Sequence, residues 1–115
     1  RDHGAARGVE VDWLQSNDEG ELARWIGESA GKYAGLILNP GAYTHTSVAL
    51  RDALQAVEIP CVEVHLSNLY AREPYRHESL TAGACLGQIC GFGAWSYCLA
   101  LEALVDYLKT RRTAE

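Results

Sequence analysis

The chain has 115 residues, 48% of them hydrophobic, and carries a formal net charge of −5. That length supports one domain with a real core, and the composition is globular rather than disordered. The basic residues are scattered, so the charged face that nucleic acid requires is absent, and no apolar run approaches the roughly 20 residues of a membrane-spanning helix.

In chain order, residues 1–7 (RDHGAAR) read as the tail of a helix, with Gly8 as its stop. A chain that opens in the last turns of a helix is expected to be part of a longer natural protein. Its first residue is not Met, so the lack of a charged-then-apolar leader pattern says nothing about processing. Val9 to Leu14 alternates apolar Val9, Val11 and Trp13 with Glu10 and Asp12, the pattern of a strand. Ser16 or Asn17 can cap the helix that follows, with Asp18, Glu19 and Glu21 in its first turn. That helix is expected to reach about Lys32, with Leu22, Trp25 and Ile26 on one face.

Gly35 to Leu38 reads as a second strand, apolar throughout as a buried parallel strand should be. Pro40 then keeps Asn39 extended, Gly41 allows a tight turn, and Thr44 or Thr46 can cap a helix from about Thr46 to Val57. A third strand is predicted at Cys61 to His65, then a polar loop from Leu66 to Ser79. A fourth strand falls within Thr81 to Cys90, and a last helix runs from about Ala94 to Lys109. Strands alternating with helices predict an α/β fold on a parallel sheet, with right-handed crossovers. Ligands of such sheets bind at the carboxyl ends of the strands, which is where the Asn39–His45 corner falls. Gly91-Phe92-Gly93-Ala94-Trp95-Ser96 lacks the third small residue of a dinucleotide fingerprint and is better explained as a tight corner.

Few residues have the chemistry of an active site. Glu63 and His65 lie two apart on a strand and so point to one face. A carboxylate beside an imidazole orients the ring, fixes its tautomer and favours its charged form, which suits a general acid. A structural ion pair at a strand end would look the same. The Leu66-Ser67-Asn68 turn just beyond offers backbone N–H groups and a hydroxyl, a cradle for a carboxylate or other anion. His45, at a helix start, is expected to be neutral there and able to donate one hydrogen bond and accept another; a capping or surface role is the ordinary alternative. Asp52 lies seven residues on, on the same helical face but about 10 Å along the axis. That is too far to share one small ligand with His45, so Asp52 is either a solvated charge or reaches a neighbouring subunit's site. Arg72 and Arg76 offer planar donor forks for carboxylates or vicinal hydroxyls, although surface arginine is the common case. His77 and Glu78 are expected to face solvent.

The only two lysines, Lys32 and Lys109, fall near helix ends, which leaves no evident Schiff-base nucleophile. A metal site built from His45, Glu63 and His65 is disfavoured because E-x-H on a strand is not a zinc spacing. Cys61, Cys85, Cys90 and Cys98 form no CxxC pair and read as small buried thiols kept reduced in a cytosol.

NPGAYTHTSVALRDAL at Asn39 to Leu54, EVHLSN at Glu63 to Asn68 and REPYRH at Arg72 to His77 resemble type II 3-dehydroquinate dehydratase, of the shikimate and quinate pathways. QSNDEGELARWI at Gln15 to Ile26 and ICGFG at Ile89 to Gly93 are similar too, so the resemblance runs along the whole chain. Asp18 and Glu78 depart from it, each standing where the family commonly has His. The resemblance implies a flavodoxin-like three-layer sandwich with strand order 2-1-3-4-5, trimers assembled into a dodecamer, and a cytoplasmic enzyme of aromatic amino acid biosynthesis. It implies anti elimination of water from 3-dehydroquinate through an enolate, without cofactor, Schiff base or metal.

By motif position, His65 would give a proton to the departing hydroxyl and Glu63 would orient it. Asn39 would help hold the group that stabilises the enolate. The Leu66 and Ser67 amides and the Ser67 hydroxyl would clamp the substrate carboxylate, His45 and Arg76 would bind ring hydroxyls, and Asp52 would serve a neighbouring subunit. The family also has a preceding strand and loop that carry a tyrosine base and an arginine. Tyr33, Tyr43, Tyr70, Tyr75, Tyr97 and Tyr107 do not match that tyrosine, so the single flavodoxin-like domain is expected to be N-terminally incomplete as written. Two alternatives stay open at this point: a non-catalytic module of the same fold that binds quinate-like acids, and an unrelated flavodoxin-like regulator. The dehydratase reading requires His45 and His65 at one rim, with Asn39 and Ser67 beside them.

Overall fold

The computed structural model describes residues 8–114. The helix tail read in residues 1–7 lies outside that range. The first element is helix α1, Glu19–Glu28. Asp18 caps it, not Ser16 or Asn17, because the Asp18 carboxylate accepts the Glu21 N–H at 3.0 Å. The helix also stops short of Lys32. The Ser29 N–H and hydroxyl both turn back onto the Ile26 carbonyl, at 3.2 and 2.5 Å, and Gly31 follows in the left-handed region at φ +79°.

Three strands form the sheet: β1 (Leu36–Leu38), β2 (Cys61–His65) and β3 (Gly87–Cys90), parallel and in the order β1-β2-β3. The register sets Leu38 beside Glu63, Glu63 beside Gln88, and His65 beside Cys90. Val9 to Leu14, predicted as a strand, forms none. Its alternation is real, but a strand exists only through ladder hydrogen bonds, and this segment pairs with no strand among the described residues. Side chains hold it instead. The Tyr33 hydroxyl donates to the Asp12 carboxylate at 2.5 Å, and the Trp13 ring stands edge-on to Tyr97 with centroids 5.1 Å apart.

After β1 the chain turns through a short 3₁₀ segment, Gly41–His45, with Gly41 at φ +59°. Helix α2 is Val48–Val57, and its cap is Ser47, whose hydroxyl accepts the Leu50 N–H at 2.9 Å. Thr44 and Thr46 were the expected caps. Thr44 instead turns inward and is wholly buried, and Thr46 lies within the turn that precedes Ser47. Because α2 starts at Val48, His45 is not on its helical face, and the predicted shared face with Asp52 does not exist. The long loop after β2 holds two further 3₁₀ turns, Leu69–Ala71 and Pro74–Arg76, and a third, Ala82–Ala84, precedes β3. Helix α3, Trp95–Ala114, runs past Lys109.

The alternation of β2 sorts the core into two layers. On one side Cys61 packs with Ile26 of α1 and with Leu50 and Leu54 of α2. On the other Val62 and Val64 pack with Ala100 and Leu104 of α3. Every residue of β2 is buried, so Glu63 and His65, on the α1–α2 side, lie inside the protein rather than on its surface. The Gly91–Gly93 corner is structural: its Gly91 and Gly93 N–H groups donate to the carbonyls of His65 and Leu66 at 3.2 and 2.9 Å. None of the described helices is long and apolar enough to cross a membrane.

Candidate active site

Glu63 is fully buried. A charged carboxylate there is tolerable only if its lone pairs are filled, and they are. Its Oε2 accepts from His65 Nε2 at 3.0 Å, Ser79 Oγ at 2.9 Å and Gln88 Nε2 at 2.6 Å, while Oε1 takes a short bond from the Thr81 hydroxyl. Burial pushes the Glu63 carboxyl pKa up. The bonds from His65, Thr81, Gln88 and Ser79 outweigh that and hold it at about 2. Glu63 is therefore ionised at neutral pH.

His65 is buried beside it. A carboxylate accepts only, so Nε2 carries the proton in that bond and Nδ1 is the ring nitrogen left for chemistry. The ring stands at the carboxyl end of β2, and Leu66 and Ser67, both exposed, continue directly past it. The arrangement is an oriented acid–base group at a sheet rim, followed by a turn rich in backbone donors.

Asn39 stands at the carboxyl end of neighbouring β1. Its carbonyl oxygen accepts the Gly41 N–H at 3.0 Å and its amide donates to the Tyr97 hydroxyl at 3.0 Å, so the side chain is pinned from both ends. His45, half-buried, donates from Nδ1 to the Glu78 carbonyl at 2.6 Å. Its neighbour Thr44 meets Ser79 and Thr81, the residues that hold Glu63. One seam, Thr44–His45 against Glu78–Thr81, thus ties the His45 corner to the Glu63–His65 pair.

Other candidates stand outside that cluster. Arg76 pairs through Nε with Glu73 at 2.7 Å, and its guanidinium lies over the Tyr75 ring at 5.1 Å. Arg72 makes a longer pair with the same Glu73, at 3.9 Å, and His77 and Glu78 are exposed, as expected. Asp52 is exposed on α2. Among the described residues no group of three or more His, Cys, Asp or Glu side chains is placed to hold a metal, so His45, Glu63 and His65 do not form the triad weighed above. All four cysteines are free; Cys61 is buried and the other three are half-buried. The Cys85 thiol beside it and burial both raise the Cys61 pKa, which keeps that thiol protonated.

Sequence reasoning missed Ser79, Thr81, Gln88, Thr44 and Tyr97. Ser79 and Thr81 show an i, i+2 hydroxyl pair, but nothing local connects them to Glu63. Gln88 becomes its neighbour only through the β2–β3 register. A cleft lined by Leu54, Glu58, Pro60, Cys85 and Tyr107 lies at the opposite end of β2 and brings no comparable polar cluster together.

A parallel sheet covered on both faces, with an oriented imidazole at its carboxyl rim, defines a flavodoxin-like α/β protein. The family model "Dehydroquinase class II" matches residues 1–105. A 3-dehydroquinate dehydratase of Ruegeria pomeroyi is 58% identical over 107 residues, which cover 93% of this chain and 72% of that protein. One from Synechocystis is 56% identical over 109 residues, covering 95% and 72%. A type II dehydroquinase structure from Butyrivibrio crossotus superposes with a TM-score of 0.87 at 43% identity, covering 90% of this chain and 72% of that one. One from Propionibacterium acnes gives 0.85 at 37%, covering 90% and 76%. The chain belongs to the class II dehydroquinase family, the type II 3-dehydroquinate dehydratases, which are hydro-lyases.

Proposed function

We propose that this site dehydrates 3-dehydroquinate to 3-dehydroshikimate by anti elimination, with His65 as the general acid. A base takes the C2 proton and leaves an enolate; in the family that base is the tyrosine of the preceding loop. As the C1–oxygen bond breaks, Nδ1 of a protonated His65 gives its proton to the departing hydroxyl, which leaves as water, and the electron pair of the enolate forms the new double bond. Glu63 keeps Nε2 engaged, so Nδ1 faces the leaving group, and its negative charge balances that of the ring. Asn39, pinned by Gly41 and Tyr97, retains one amide N–H to hold the water or group that stabilises the enolate oxygen. The Leu66 and Ser67 amides, with the Ser67 hydroxyl, clamp the substrate carboxylate. His45 and Arg76 bind ring hydroxyls, Arg76 on leaving Glu73.

The observation that carries this reading is the buried Glu63 carboxylate hydrogen-bonded to His65 Nε2 at the strand rim. We further propose one flavodoxin-like domain, a cytoplasmic location, and trimers that assemble into a dodecamer and bring Asp52 to a neighbouring subunit's site. The test is to add 3-dehydroquinate to the full natural protein and follow the ultraviolet absorbance of the conjugated enone. The absorbance should rise, and borohydride with substrate should leave the enzyme active because no lysine forms an imine. Calorimetric binding of quinate-like acids without any turnover would overturn it in favour of a non-catalytic module.

A further inference from the structure

The hydroxyl protons around Glu63 can be assigned one by one. Glu63 is ionised, so both its oxygens accept, and Ser79 and Thr81 both donate to it. A hydroxyl has one proton. Neither Ser79 nor Thr81 has one left for the other, 3.3 Å away, nor for Thr44. The Thr44 Oγ1 lies 2.5 Å from Ser79 Oγ and 2.9 Å from Thr81 Oγ1. Thr44 must therefore be the donor in this trio. The Ala82 N–H also donates to Ser79 Oγ, at 2.9 Å, which fixes that oxygen from another side. Thr44 is wholly buried, and its own carbonyl takes the Leu80 N–H at 2.6 Å.

We propose that Thr44 is a positioning residue for the acid. Its single hydroxyl proton goes to the Ser79 oxygen, the nearer of the two at 2.5 Å, and keeps that hydroxyl in the rotamer that points at Glu63, and Glu63 in turn holds the Nε2–H of His65. Thr44 does not touch the reacting atoms. It acts through the Ser79 hydroxyl, Glu63 and His65 in series. The proposal rests on His65 being the acid of the dehydration.

The experiment compares Thr44→Val, which removes the hydroxyl at nearly constant shape, with Thr44→Ser, which keeps it. Thr44→Val is expected to lower kcat about 10-fold, the worth of one buried hydrogen bond, with KM within about twofold. At a pH high enough to leave the His65 ring neutral, its ¹⁵N spectrum should change from a single Nε2–H form to a mixture of tautomers. Thr44→Ser should restore both. Unchanged kcat and an unchanged tautomer in Thr44→Val would reduce Thr44 to a packing residue. If Thr44→Val does not fold, the unsubstituted protein decides: a slowly exchanging Thr44 hydroxyl proton with contacts to Ser79 or Thr81 supports the assignment, and its absence overturns it. A protein with no dehydratase activity would refute the function itself, while the spectra would still report on Thr44.

Discussion

The Asn39 amide donates to the Tyr97 hydroxyl at 3.0 Å, joining the end of β1 to the first turns of α3 across 58 residues of sequence. With the Gly41 N–H on its oxygen, Asn39 has one N–H left, and its direction is set by Tyr97. Tyr97→Phe removes that partner and keeps the ring that packs against Trp13. It should lower kcat about 10-fold, the value of one hydrogen bond, with little change in KM. Steady-state kinetics by enone absorbance checks this; an unaltered kcat would mean that Asn39 is held well enough by Gly41 alone.

His65→Ala should reduce kcat by about 10²- to 10⁴-fold, the usual contribution of a positioned general acid, while KM changes far less. If KM rises and kcat is preserved, His65 binds substrate and donates no proton to it.

Glu63 links the site to acid stability. Its carboxyl falls from an ordinary 4.5 to about 2 on folding, so it adds stability at pH values above the unfolded value and loses it as pH falls from about 4.5 to about 2. The contribution lost is on the order of 3 kcal/mol. Glu63→Gln, which faces four donors with an amide, should be less stable at pH 7 yet show a flatter decline between pH 5 and 3. Urea unfolding at a series of pH values measures both, and parallel declines in the two proteins would exclude the linkage.

Gly35 stands at the entry to β1, where an added Cβ would lie 2.7 Å from Leu104 Cδ2 in the α3 layer. Gly35→Ala should lower stability by about 1–2 kcal/mol through overpacking. Since this contact lies on the far side of the sheet from Glu63, kcat should stay as it is. Thermal melts alongside the absorbance assay separate the two effects.

Adding a chelator should leave turnover unchanged, because the proposed elimination needs only proton transfers and hydrogen-bond donors of the protein. Activity lost with chelator and regained with a divalent ion would bring the metal hypothesis back.

Much of the fold is legible locally. Apolar runs mark β1 and β2, and the E-x-H pair shares a face because strand side chains alternate with period two. The α/β class, strands β1 and β2 and the Asn39–His45 corner follow from such short-range rules. Cap choice was less legible: Ser16, Asn17 and Asp18 are all competent, and only backbone geometry selects Asp18. Val9 to Leu14 carries a strand's pattern and forms no strand, because pairing depends on a partner elsewhere in space.

The sequence by itself determined that Glu63 and His65 face the same way. Tertiary structure alone decided that Glu63 is ionised. Its supporting donors Ser79, Thr81 and Gln88 come from 16, 18 and 25 residues further along the chain. Sheet register and the seam with Thr44 bring them there, and a buried carboxylate keeps its charge only when donors converge on it from several segments at once.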